Sequence, residues 1–204
     1  FKRGKPAWVY LGQEKMKILI DSARCDYRAL LLFLYDSGLR PQESYQIKVS
    51  DLSEDFSVLI VPKERADGIQ VSKTFERTIK LKQCSEMIKN YIKINKLKSN
   101  DYLIIPTQPA FNKYLRTLSE KLFGKGVTKA RGFYNQLKLY DIRHNACCFW
   151  LDRYKTNKDL MYRMGWLKED KVLYYSEFLG RRDKIDDEDM MTKEDKTAME
   201  KEME

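Results

Sequence analysis

Apolar positions settle into a helical rhythm at Gln13 and keep it to Ser37. Met16, Ile18, Leu19 and Ile20 form one cluster, and Tyr27 to Tyr35 a second that contains ALLLFLY (29–35). Apolar residues three and four apart face a helix onto a core, and a continuous run marks a helix buried on most sides. Gly38 predicts the stop, because glycine takes the left-handed backbone that closes a helix. Pro41 suits the first turn of a new helix over about 41–48, where its missing N–H is not needed.

Between 56 and 82 the pattern changes. SVLIV (57–61), IQV (69–71) and RTIKL (77–81) are rich in β-branched residues and are separated by ADG (66–68) and KTFE (73–76). This predicts a small antiparallel sheet of two or three strands. Helical spacing returns near 84–96, 108–123, 141–154, 158–165 and 169–178, with GKGVTKARG (124–132) as a basic, glycine-containing loop. Residues 1–12 lack a clear period and read as a linker or lead-in strand. From about 181 the chain is charged and weakly amphipathic, either disordered or folded against a partner. The fold class is α+β, mostly helical, with one small antiparallel β-sheet.

Composition narrows this. The 204 residues make one domain plus a tail, and 43% apolar content is enough for a packed core. No apolar run approaches the roughly 18–20 residues of a membrane span, so no membrane association is expected. A start at Phe1 rather than Met suggests a fragment with something N-terminal missing. Cys25, Cys84, Cys147 and Cys148 form no CxxC pair and the chain has one histidine, so buried free thiols in a reducing compartment are expected and a zinc site is not.

The net charge is +9, unevenly spread. Residues 183–204 hold ten acids and four lysines, while the other 182 hold 35 of the 39 basic and 20 of the 30 acidic residues, a net +15. A basic body of that size is the footprint of a nucleic-acid binder, although a lysine-rich soluble protein gives the same count. DDED (186–189) reads as solvated tail rather than a metal site, and no metal is expected.

Three stretches carry chemistry. In SGLRPQES (37–44), Arg40 and Glu43 lie about one turn apart, so the carboxylate can brace the guanidinium outward. An ordinary helix-start salt bridge reads the same way. In LYDIRHNA, Arg143 opens a second apolar helix, and two arginines at helix starts can both offer planar forks to one phosphate. In MGWLKEDKVLYYSEF (164–178), Trp166 follows a glycine stop, and Tyr174 and Tyr175 follow on the next helix. A phenol with a pKa of about 10 becomes a useful nucleophile only where cations stabilise developing charge.

Taken in order, these motifs and the lysine of VSKTFERTIKL resemble the tyrosine recombinases of the phage-integrase type, over about residues 13–180. The resemblance implies the tyrosine recombinase catalytic-domain fold, usually preceded by a helical DNA-binding domain. It assigns phosphate binding to Arg40 and Arg143, the acidic position to Glu43, and protonation of the leaving 5′ oxygen to Lys73. The hairpin is longer than usual, so Lys63 is the alternative to Lys73. Trp166 falls where the family has His or Trp. Tyr175 falls at the nucleophile, with Tyr174 as alternative. One position departs: Tyr140 stands where the family usually has histidine, which leaves open what deprotonates the nucleophile. His144 is expected to pack and hydrogen-bond beside Arg143 rather than act chemically.

The implied activity is site-specific recombination, as in integration or excision by a virus or mobile element. It runs through a 3′-phosphotyrosyl intermediate without metal, ATP or other cofactor. The implied partner is double-stranded DNA, gripped by a tetramer, with the free protein a monomer or weak oligomer. Residues 181–204 would be the segment that protomers exchange. Candidate DNA contacts are Lys63, Arg65, Lys113, Arg116, Lys125, Lys129 and Arg131. The expected location is the cytoplasm of a prokaryote or viral host, with the nucleoid. Competing readings are a type IB topoisomerase or telomere resolvase, a DNA-binding module with degraded chemistry, and an unrelated basic interaction protein.

Overall fold

The computed structural model describes residues 6–180. Over these residues the elements are α1 (Gly12–Ser22), α2 (Cys25–Ser37), α3 (Pro41–Ser44), β1 (Val58–Val61), β2 (Arg77–Lys80), α4 (Ser85–Ile94), α5 (Gln108–Phe123), α6 (Leu139–Leu151), α7 (Asn157–Met164) and α8 (Asp170–Phe178). The readings made for residues 181–204 lie outside the described residues.

The rhythm over 13–37 belongs to two helices, because Ala23 and Arg24 are extended. The break lets Met16, Leu19 and Ile20 turn onto the same core as α2, whose Leu30, Leu31, Phe33 and Leu34 are all buried. α2 packs on α6, which is also buried on most sides. Gly38 ends α2 at φ +66°, and a Cβ there would stand 2.8 Å from the Met164 sulfur. Glycine is therefore fixed by both backbone and space.

One helix boundary is corrected, and the sheet takes the smaller of its two expected sizes. The helix begun by Pro41 stops at Ser44, and Ile47 instead enters the core beyond it. IQV forms no strand; the Lys63 carbonyl accepts the N–H groups of Val71 and Ser72, which closes a loop. The sheet is thus two-stranded, with Val58 opposite Lys80 and Val61 opposite Arg77. Of the four free cysteines, Cys25 is exposed and the other three are buried.

The described part of the lead-in segment is no linker. Trp8, Val9 and Leu11 are buried. Trp8 pairs in parallel with the 130–132 turn, its N–H on the Ala130 carbonyl (3.1 Å) and its carbonyl on the Gly132 N–H (2.9 Å). Asn145 of α6 accepts the Leu11 N–H (2.8 Å) and donates to the Val9 carbonyl (2.9 Å). These bonds seat Trp8 beside the candidate site.

Candidate active site

Arg40 sits just before α3 in extended conformation, and Pro41 starts the helix. Glu43 then reaches back, accepting the Arg40 backbone N–H (3.0 Å) and its Nη1 (2.8 Å). The carboxylate does more than the sequence suggests. Arg77, at an inward position of β2, also donates Nη2 (2.9 Å) and Nη1 (3.3 Å) to it. Burial would raise the Glu43 pKa, but the hydrogen bonds and charges of Arg77 and Arg40 outweigh that and hold it below the ordinary range. One buried carboxylate therefore anchors two guanidinium groups.

The turn between α7 and α8 closes around the same arginines. Arg40 Nη2 donates to the Gly165 carbonyl (2.9 Å). Gly165 lies at φ +62°, and a Cβ would fall 3.0 Å from the Arg77 guanidinium carbon. Hence the residue before Trp166 is glycine.

Arg143, on the second turn of α6, is 5% exposed. It donates Nη1 to the Gly38 carbonyl (2.6 Å) and Nη2 to the Met164 carbonyl (2.7 Å). Burial, helped by the charges of Arg40 and Arg77, pushes its pKa down, yet an arginine starting above 12 stays charged. Both carbonyls are neutral, so its positive charge remains for an incoming anion.

Tyr175 of α8 is buried, at 4% exposed. Trp166 lies parallel to its ring with centroids 5.8 Å apart, and the Arg143 guanidinium stands 5.9 Å from the Trp166 ring. The Tyr175 hydroxyl is hydrogen-bonded to His144 Nδ1, and the Cys147 thiol also lies within hydrogen-bonding reach. Burial first, then the neighbouring thiols, raises the phenol pKa well above its usual value; Arg143 opposes this. The Tyr174 hydroxyl accepts the Trp8 indole N–H (2.9 Å). Tyr140 is exposed and presents its ring edge-on to His144 at 5.0 Å.

A single cavity of about 420 Å³ is lined by Arg40, Arg143, Trp166, Tyr175, His144 and Tyr140, with Trp8 and Tyr174 among its other walls. Lys73 is exposed beside this assembly, on the loop before β2. Its neighbours are tethered: Ser72 touches Glu43 (3.4 Å), and Thr74 Oγ1 donates to the Gly165 carbonyl (3.3 Å). Lys63 is exposed farther back in the hairpin loop.

The proposed DNA contacts divide. Lys113 and Arg116 on α5, and Lys125, Lys129 and Arg131 in the following loop, are exposed. Lys129 stands 4.8 Å from the Phe178 ring. Arg65 differs: its guanidinium pairs with Asp51 (2.5 Å) and donates to the Gln46 carbonyl, bracing the hairpin loop inside the protein. Its long side chain turns inward because a carboxylate waits there.

Sequence reasoning missed Arg77, Trp8 and Cys147. Only Arg77 left a trace, as an inward position in the alternation of RTIKL. Among the described residues, no group of three or more His, Cys, Asp or Glu is placed to hold a metal ion, and no helix is long and apolar enough to cross a membrane.

The family model described as the phage integrase family matches residues 12–178. Among curated protein sequences, none matches the chain. Solved structures do. XerA recombinase superposes with a TM-score of 0.65 at 16% identity, over 98% of this chain and 66% of its own. The Tn1549 transposon integrase in complex with transposon right end DNA gives 0.65 at 16%, over 100% and 69%. A lambda integrase dimer bound to a COC′ core site gives 0.60 at 14%, over 91% and 53%. At such identities the likeness is one of fold, and the chain spans roughly half to two thirds of these proteins.

Proposed function

The chain belongs to the phage integrase family, and from that premise we propose that it is a tyrosine site-specific DNA recombinase. The observation that carries this is the single cavity lined by Arg40, Arg143, Trp166 and Tyr175, which come from four separate parts of the chain. Two cations, one aromatic wall and one phenol form a site for a phosphodiester.

In the proposed reaction the scissile phosphate lies between Arg40 and Arg143. Each guanidinium has five N–H donors, and the protein carbonyls and Glu43 take only some of them. The rest meet the non-bridging oxygens and neutralise charge as the phosphorus becomes five-coordinate. Tyr175 Oη attacks, the P–O5′ bond breaks, and a 3′-phosphotyrosyl bond forms. Lys73 protonates O5′, its exposed side chain reaching from a loop tethered on both sides. The 5′ hydroxyl of a second strand then reverses the step. One phosphoester replaces another, so ATP is not needed. The Trp166 ring lies parallel to that of Tyr175, and the Arg143 guanidinium stands beside Trp166, which supports Tyr175 as nucleophile.

Double-stranded DNA is the proposed partner, in line with the transposon right end DNA in the Tn1549 structure and the COC′ core site in the lambda structure. The proposed active assembly is a tetramer on two duplexes, in the compartment that holds the DNA, and the exposed lysines and arginines of α5 and the 124–132 loop are its phosphate contacts. The test uses a nicked duplex carrying a sequence that the protein enriches from a random library. The parent and Tyr174→Phe are expected to give a covalent protein–DNA band on a denaturing gel, and Tyr175→Phe none. A band that survives Tyr175→Phe refutes the assignment.

A further inference from the structure

We propose that His144 is a catalytic residue that accepts the proton of Tyr175, the task that the resemblance would place at position 140. This rests on the recombinase reading of the same cavity. Of the groups in the cavity, His144 has a ring nitrogen on the Tyr175 hydroxyl, whereas the exposed Tyr140 meets only the edge of the imidazole. A phenol oxygen is in any case a weaker proton acceptor than an imidazole nitrogen.

The imidazole is also held firmly. Trp8 stacks on it with centroids 4.7 Å apart and planes 22° from parallel, and Trp8 is fixed in turn by its backbone bonds to the 130–132 turn. Tyr140 closes a second side. A ring clamped this way keeps its nitrogen aligned with the phenol, as a proton acceptor must be.

Two groups within reach of the Tyr175 hydroxyl could take its proton, His144 Nδ1 and the Cys147 sulfur. The Cys147 thiol is a weak donor and a weaker acceptor than imidazole nitrogen. Burial pushes that thiol up to about 11, so it keeps its proton at neutral pH. In the proposed arrangement the Tyr175 O–H is turned to His144 Nδ1, with the Cys147 sulfur a second and weaker partner within reach. Burial first, then the charges of Arg143, Lys138 and Lys171, brings His144 down to about 4, so the ring is neutral at pH 7, and in this arrangement its one proton sits on Nε2 so that Nδ1 accepts. Those same cations disfavour imidazolium until an anion arrives. A phosphate seated between Arg40 and Arg143 brings negative charge beside the ring and raises its proton affinity. As Tyr175 Oη bonds to phosphorus, its O–H bond breaks and the proton passes to Nδ1. When O5′ returns, the tyrosine oxygen leaves and takes that proton back.

His144 is the only histidine in the chain, so its nitrogens give a single set of resonances in a two-bond ¹H–¹⁵N spectrum. At neutral pH the DNA-free protein should show the Nε2–H tautomer, with an Nδ1 shift that moves in Tyr175→Phe. Protonated Nδ1 overturns the proposal, since that nitrogen is then filled. On the enriched nicked duplex, His144→Gln should form adduct about 10²-fold or more slowly, the usual worth of a general base. A fluorinated tyrosine of lower phenol pKa at position 175 should restore most of that loss, because it needs less help to ionise. A packing defect would not be restored. If the parent forms no adduct, the recombinase reading fails. If the parent reacts and His144→Gln matches it, or the fluorinated residue gives no recovery, the His144 role alone fails.

Discussion

Replacing Glu43 by glutamine keeps the shape of the site and removes one negative charge. That charge serves two cations. Arg77 has a side chain 0% exposed and Arg40 one 17% exposed, and both hold the carboxylate at 2.8–2.9 Å. Arginine cannot shed its proton in a protein, so the buried Arg77 charge has no escape by titration. Breaking one partner of a buried, hydrogen-bonded pair is worth about 3–5 kcal/mol. A domain of this size has roughly 5–15 kcal/mol in all, so Glu43→Gln should remove about a fifth of its stability or more. Urea unfolding followed by tryptophan fluorescence should show the midpoint falling with little change in slope. Adding Arg77→Met removes the stranded cation, so the double variant should be more stable than the sum of the two single changes predicts. A loss below about 1 kcal/mol in Glu43→Gln, the range of an exposed pair, would refute the claim that this carboxylate anchors the arginines.

Four further outcomes follow from the same geometry. Gly165→Ala should lose about 1–3 kcal/mol from its left-handed backbone and the contact with Arg77, and adduct formation should fall more than stability does; a variant matching the parent in both assays would remove Gly165 from the site. Lys129→Gln should lower the slope of log affinity against log salt by about one, whereas Arg65→Gln should lower stability and leave that slope unchanged. Stability should drop below pH 4.5, because Glu43 is held below its ordinary value of 4.5 when folded and that contribution is lost as pH falls through the folded value. Between pH 6.5 and 4 two groups oppose each other. His144 falls from 6.5 to about 4 on folding and destabilises as it protonates, while Asp141 rises from 3.8 to about 6, chiefly by burial, and stabilises as it protonates; His144→Gln should therefore gain about 2 kcal/mol relative to the parent between pH 7 and pH 5 in parallel urea titrations.

The parts of the site legible in the sequence are those set by local chemistry. Gly38 before an arginine and a proline, and Gly165 before a tryptophan, announce the helix ends that place Arg40 and Trp166, because a left-handed residue or a fixed φ acts within a few positions. Parts that depend on distant pairing were not legible. Trp8 is buried where its segment pairs with residues 130–132, and nothing in residues 1–12 signals that. Arg77 could be placed inward by alternation, but its partner Glu43 lies across the hairpin loop. Arg65 reads as a surface cation for the same reason: the sequence cannot show that Asp51 faces it. The helix after Pro41 ends early because Ile47 is drawn into the core, a tertiary demand that overrides a local pattern. His144 was legible as a neighbour of Arg143, while its bond to Tyr175 required α8 to be laid against α6.

The geometry also holds one exposed lysine, the proposed acid, beside the cavity. Ser72 is buried against Glu43, and Arg77 Nη1 donates to its hydroxyl at 3.2 Å. Thr74 is held by the same Gly165 carbonyl that receives Arg40. Lys73 is the single residue between these anchors, so its backbone moves only with the arginines, while its four-carbon side chain is free to swing. Lys63 has no such pair of tethers to the site; its carbonyl merely closes the hairpin loop. On this ground Lys73→Ala should abolish most adduct formation on ordinary DNA and much less on DNA whose leaving oxygen is replaced by sulfur, which departs without a proton donor. Lys63→Ala should behave alike on both substrates. The reverse pattern would transfer the acid role to Lys63 and would mean that the long hairpin loop folds over the cavity when DNA binds.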